Sequence, residues 1–396
     1  EPDAPSLVTD ALAEDVGGTW RVTFGRPAGA TRFLATSVAQ TPTIVPDAPS
    51  DLRDAANEGE YLVLTVDALA PAADRLAGLR SARLTPRVVL LEDVMDEWNA
   101  GVYDPRAVRE FLAWASANWA VPPRYVVLVG AGHFDYRDIQ GLGGNPMPPL
   151  MVGTPFGLYA SDLAFTDFDG DRVPDLRIGR IPVLGAGELD AYVDKLVTYE
   201  ASVGPWADEV LLVADDDDLG GTFAANNDRV EAALPPVAQP RRIDLGTTDV
   251  PTARQQLFDA LDQGAGLLHW IGHGGVDRLA DEGLLVSADV PGLGDVQTLP
   301  VVAALSCNIA RFELPGFDAL AEDLILEATG GAVAAWAPSG QAFDFESHKA
   351  DLILAEEAFS PANETIGDIF YATTRRFAAQ ALLPWSVEIY NLLGDP

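Results

Sequence analysis

Two short segments carry side chains that could break a peptide bond. The chain's single cysteine, Cys307, stands in Leu305-Ser306-Cys307-Asn308, and one of its four histidines, His273, stands in Ile271-Gly272-His273-Gly274-Gly275. A thiol becomes a strong nucleophile when an imidazole holds it as thiolate, and the same imidazole can later protonate a leaving amine. Glycines beside the histidine leave backbone N–H groups able to face a developing oxyanion, which assigns the N–H groups of Gly274 and Cys307 to that role. A lone cysteine at a strand end is more often packing than chemistry. The joint occurrence of a His-Gly strand end and the only cysteine at the next strand end turns the reading toward catalysis. His269 and His273 are four apart, but Trp270 stands where a zinc peptidase has its glutamate and the segment reads as strand, so zinc is not expected.

A second chemistry is written in Asp167-Phe168-Asp169-Gly170-Asp171-Arg172-Val173-Pro174-Asp175. Asp167, Asp169, Asp171 and Asp175 fall at positions 1, 3, 5 and 9 with Gly170 at 4. Hard carboxylate oxygens around one turn suit Ca²⁺, bound structurally. Arg172 and Ile178 occupy the places of the EF-hand glycine and glutamate, so a loop-type site is expected and not a helix-loop-helix sensor. The bland alternative is a solvated acidic turn. The run Asp215-Asp216-Asp217-Asp218, taken alone, reads as a solvated face.

These groups need elements to hold them. Tyr61–Val66, Arg87–Leu91 and Tyr125–Gly130 are continuous apolar runs separated by helical patterns such as Asp104–Asn118, which signals a parallel sheet covered on both faces. The scheme repeats in strands Glu209–Ala214, Arg242–Leu245, Gly266–Ile271, Val301–Leu305 and Gly331–Trp336, with helices Thr252–Gln263 and Asp318–Thr329 between them. In such sheets reactive groups collect at the carboxyl ends of strands, where His273 and Cys307 both fall. The alternating segment Thr19–Phe24 and the proline-rich exit at Pro42, Pro46 and Pro49 read as a β-structured remnant or linker over 1–48. A first α/β unit is expected over 49–203 and a second, carrying His273 and Cys307, over 204–396, the joint being the helix Glu188–Glu200 and the turn at Gly204-Pro205.

Tyr125–Asp138 (YVVLVGAGHFDYRD), Ile178-Gly179-Arg180-Ile181-Pro182, the IGHGG and ALSC segments, Gly330–Val333 and the ending Tyr390–Pro396 together resemble the gingipain-like cysteine peptidases, family C25 of the caspase-like clan. The resemblance covers roughly residues 50–396 in order. It implies a caspase-like α/β fold of two side-by-side sub-domains with mainly parallel sheets flanked by helices. It also implies that His273 is the catalytic histidine, that Cys307 is the nucleophile, and that an acidic residue stands behind the histidine. Asp215 is the first candidate for that residue and Asp217 the second. Ala131 departs from the pattern, since the family usually has aspartate there.

The expected activity is therefore that of a secreted or cell-surface cysteine endopeptidase acting through a Cys307 acyl-enzyme on protein or peptide substrates. A sortase-like transpeptidase of the same family and a catalytically silent, calcium-stabilised binding module are the alternatives. Twenty-five basic and 60 acidic residues give a net charge of −35, with Lys195 and Lys349 the only lysines. Such a surface repels nucleic acid and anionic lipid and attracts basic residues, so basic P1 side chains are favoured. No apolar run reaches the eighteen or so residues of a membrane helix. The first residues lack the pattern of a secretion signal, and the N-terminal segment looks like part of a longer precursor whose other domains are expected partners. Trp98, Trp114 and Trp119 read as core, His133 as structural, His348 as a surface residue, and Trp336–Gly340 as a segment near the S1 wall.

Overall fold

Alternation and apolar runs become strands at nearly every expected place in the computed structural model, which describes residues 11–25, 48–202 and 204–396. Contacts divide the chain into Glu1–Pro49 and Ser50–Pro396. In the first unit, β1 (Leu12–Val16) and β2 (Thr19–Thr23) pair as an antiparallel hairpin. The alternating segment at Thr19 is one arm of it, while Pro42 and Pro46 lie outside the described residues.

The second unit runs β3 (Tyr61–Thr65), α1 (Ala70–Arg80), β4 (Pro86–Leu90), α2 (Leu91–Asn99), α3 (Arg106–Asn118) and β5 (Tyr125–Val129). The hairpin β6 (Met151–Thr154) and β7 (Gly157–Ala160) follows, then β8 (Arg177–Ile181) and α4 (Ala186–Glu200). Next come β9 (Glu209–Ala214), α5 (Phe223–Ala233), β10 (Gln239–Asp244), α6 (Val250–Gln263) and β11 (Leu267–Ile271). Three short strands, β12 (Gly274–Gly275), β13 (Arg278–Leu279) and β14 (Leu285–Val286), precede β15 (Val301–Leu305), α7 (Leu320–Leu326) and β16 (Ala334–Pro338). The chain closes with α8 (Asp344–Glu357), α9 (Ile366–Ala378), α10 (Trp385–Glu388) and β17 (Tyr390–Leu393).

Among the described residues ten strands form one sheet in the order β10-β9-β11-β15-β16-β17-β8-β5-β3-β4. The sheet does not break at residue 203: β17, from the end of the chain, pairs antiparallel with β16 and parallel with β8 and so joins the two halves. Every other pairing in it is parallel. The strands of the two halves therefore run in opposite directions, and their carboxyl ends open on opposite edges. The period of two along β3 and β5 sorts the core. Tyr61, Val63, Tyr125 and Val127 pack with α1 and α4, and Leu62, Leu64, Val126 and Leu128 with α2 and α3.

β16 begins three residues later than the expected Gly331, because Gly331 takes φ +73° and turns the chain before Ala334. Trp98, Phe111, Trp114 and Trp119 interlock edge to face against α2 and α3. Trp336 is core as well, stacked on Phe370 and Tyr390 at 5.1 and 4.6 Å. Buried Lys195 donates to the carbonyls of Ile325 and Glu327 at the end of α7, and burial pulls its ammonium down to about 7. No helix among the described residues is long and apolar enough to cross a membrane.

Candidate active site

β11 and β15 are neighbours paired in parallel from Leu267↔Val301 to Ile271↔Leu305. Carrying that register two residues further sets Gly272 across from Ser306 and His273 across from Cys307. The Ser306 hydroxyl donates to the Gly272 carbonyl at 2.8 Å, so the two strand ends stay tied after the ladder stops. Gly274 allows the close approach that follows. A Cβ there would collide with Ser306 and Ile309 and come within 3.0 Å of the Cys307 carbonyl oxygen.

The aspartate run at the end of β9, the neighbour of β11, supplies three different contacts. Asp215 is buried and accepts the backbone N–H of His273 at 2.8 Å and that of Asp216 at 3.1 Å. Asp217 accepts the Ala224 N–H at the start of α5. Asp218 meets the imidazole itself, its carboxylate 3.1 Å from His273 Nε2. The acidic partner of the ring in this geometry is thus Asp218, three residues beyond the expected Asp215. The reason is that the chain turns after Ala214: its first carboxylate folds inward onto the backbone of the next strand, and the fourth reaches the exposed edge of the ring. Phe223 packs edge-on against the imidazole at 5.6 Å.

Electrostatics follow from these contacts. Burial pushes the Asp215 carboxyl up to about 6, against the pull of the His273 and Asp216 N–H groups. Burial alone would lower the His273 imidazole, but the hydrogen bond and charge of Asp218 outweigh it and the ring is held above its ordinary value. Asp218 itself is lowered, first by the Gly220 N–H. The Cys307 thiol is raised by burial, partly countered by the Ala342 N–H. That N–H lies 3.4 Å from Sγ, and the thiol donates to the Ala342 carbonyl at 3.5 Å. The following residue, Asn308, takes φ +59° and its N–H donates to Gly340, so the segment after β16 cradles the cysteine turn.

Of the other expected groups, Asp167, Asp169 and Asp171 bring one carboxylate oxygen each within 4.8 Å of one another. Asp175 is not in that group: its carboxylate accepts the Phe168 N–H and closes the loop. Asp167 folds the turn by accepting from Gly170, Asp171 and Arg172. Sequence reasoning missed a second gathering, Asp215 and Asp216 with Glu282 from the turn between β13 and β14, for which the sequence around Glu282 holds no signal. It also missed Ala342, whose contacts to sulfur are backbone and so independent of residue type. His133 fastens its loop through Asp135 and Asn145. His348 is not a surface residue: its side chain is 14% exposed inside α8, facing Asp351, which itself pairs with buried His269.

A parallel α/β sheet that brings a lone thiol and an imidazole to adjacent strand ends is the frame of a cysteine peptidase, and this chain is one. It belongs to peptidase family C25, whose model matches residues 54–396. The fold is that of the gingipains. The Arg-specific cysteine proteinase gingipain R superposes with a TM-score of 0.70 at 16% identity, over 86% of this chain and 77% of that one. The complex of Porphyromonas gingivalis RgpB pro- and mature domains gives 0.70 at 17%, over 85% and 79%. A further protease structure gives 0.67 at 15%, over 85% and 77%. Among curated proteins no relative matches the chain.

Proposed function

We propose that the chain is an endopeptidase in which Cys307 attacks the scissile carbonyl and His273 carries the proton. Sulfur bonds to the carbonyl carbon, the C–N bond breaks, and the amine leaves with a proton from the imidazole. Water, deprotonated by the same ring, then releases the acyl group. Asp218 holds Nε2, which leaves Nδ1 to exchange the proton, while Asp215 fixes the backbone that carries the ring. The N–H groups of Gly274 and Cys307 hold the oxyanion. The observation that carries this reading is the shared register of the two strand ends, with the Ser306–Gly272 bond across it.

Basic P1 residues are the favoured substrates, supported by the net charge of −35 and by Asp215–Asp218 beside the imidazole. The acid-rich, lysine-poor composition supports a secreted or cell-surface setting. Calcium is proposed as a structural ion held by Asp167, Asp169 and Asp171, whose convergent hard oxygens fit it. A pro-domain such as RgpB has supports further domains of a longer precursor as partners. The deciding experiment is iodoacetamide labelling near neutral pH joined to a positional-scanning peptide library. Labelling of Cys307 that slows in His273→Ala, with cleavage after Arg or Lys, is expected. Equal labelling rates in both proteins would remove the dyad, and cleavage only after small or acidic residues would remove the P1 preference.

A further inference from the structure

Beside the cysteine the surface changes from acidic to aromatic. Ala342, whose backbone grips Cys307 Sγ, is followed by Phe343, 40% exposed, and Phe345, 51% exposed, with the two rings stacked at 5.6 Å. Phe156, at the tip of the β6–β7 hairpin and 44% exposed, lies edge-on to Phe343 at 5.7 Å and to Trp385 at 5.8 Å. Leu158, two residues beyond Phe156, and Leu382, three residues before Trp385, are also exposed, at 63% and 72%. The hairpin is seated by contact: Tyr159 lies so close to Gly340 that a Cβ there would come within 2.8 Å of the ring, and Gly340 accepts the Asn308 N–H. Thus one short path, Cys307 to Ala342 to Phe343 to Phe156, joins the sulfur to an apolar surface drawn from three separate elements.

A contiguous exposed apolar patch on so charged a chain needs an occupant. The geometry points to a large apolar side chain of the peptide substrate, bound on the Phe156, Phe343 and Trp385 rings at a position flanking P1. This rests on the Cys307 reading, because continuity with the sulfur is what selects a substrate over another partner. A peptide carrying a basic residue at the bond and an aromatic or branched aliphatic one beside it would meet acidic groups on the His273 side and rings on the Ala342 side.

The test uses fluorogenic peptides with P1 held as Arg and with Phe, Leu or Ser placed in turn at each position from P4 to P3′. Their cleavage by the wild type and by Phe156→Ser is compared, and so is their direct binding to Cys307→Ala. At one position, Phe is expected to exceed Ser about tenfold in kcat/KM through KM, and about tenfold in affinity for Cys307→Ala, with both ratios falling to about threefold or less in the Phe156→Ser background. A flat profile at all positions in the binding measurement overturns the proposal, as does a ratio that Phe156→Ser leaves intact. Sedimentation showing a dimer that Phe156→Ser dissociates, without any peptide preference, would overturn it in favour of a second copy of the chain. Absence of turnover with the binding preference intact would instead sink the peptidase role of Cys307 and leave the aromatic subsite standing.

Discussion

Asp167–Asp175 and Asp215–Asp218 are two aspartate clusters on one edge of the same sheet, since the first enters β8 at its amino end and the second leaves β9 at its carboxyl end, in oppositely directed halves. Spacing separates their behaviour. In the first, alternate aspartates fold the loop on itself: Asp167 accepts three N–H groups, and Asp169 and Asp171 close the turns that follow. In the second, consecutive aspartates must point different ways, so Asp215 goes inward to the His273 backbone and Asp218 outward to its ring. Charge density says little about role; the direction each residue is forced to take says more.

The largest effect that tests this contrast is at sulfur. Cys307→Ala is expected to lower turnover by at least about a thousandfold while leaving the melting temperature nearly unchanged, because removal of a nucleophile abolishes the acyl-enzyme and not the fold. A Cys307→Ala protein that still cleaves the same peptides would move the nucleophile elsewhere. Next is Asp218→Asn. The carboxylate raises the His273 pKa, so its loss lowers that pKa and moves the acid limb of the pH–rate profile to lower pH. The ring and Asp218 are 39% and 48% exposed, so the shift is expected to stay under about one unit with roughly a tenfold loss in kcat/KM. A limb that does not move would detach Asp218 from the imidazole.

Asp215 answers a different measurement. Its folded pKa of about 6 lies above that of an unfolded aspartate, so the native state binds the extra proton more tightly. Its contribution is fully present below the unfolded value near 4 and is lost as pH rises through about 6. Relative to Asp215→Asn, the wild type is expected to lose about 1–2 kcal/mol of unfolding free energy between pH 4 and 6.5, screening by the wet neighbouring aspartates included. Parallel stability curves in denaturant would show that Asp215 stays charged throughout.

The ends of β11 and β15 were legible because continuous apolar runs stop at glycine and serine, and with them the placement of His273 and Cys307. The ring's partner was not: the run offers four identical side chains, and only the turn after Ala214 decides which one meets Nε2. β17 was read as a motif, not as the strand that joins the two halves, since nothing local in Tyr390–Leu393 says which way it runs. His348 read as a surface residue by type, yet inside α8 it faces Asp351 and meets Arg229, a partner distant in sequence. The aromatic patch was missed for the same reason, being assembled from residues 156, 343, 345 and 385.

Calcium's expected effect falls on stability and not on turnover, and it returns to the two clusters. A ligand that binds only the native state stabilises it by RT ln(1 + [L]/Kd), about 2.7 kcal/mol at a hundredfold excess over Kd. For a unit of this size that corresponds to a rise of about 3–5 °C in the melting temperature. Asp169→Ala is expected to abolish the rise, because Asp169 folds only one turn and its remaining oxygen is free for an ion. Asp216→Asn, in the group with Asp215 and Glu282, is expected to leave the rise intact. The reverse pattern would assign the ion to the cluster behind His273, and the preference for Arg would then need a cause other than free carboxylates, since a bound Ca²⁺ cancels most of the local negative field that draws a basic side chain.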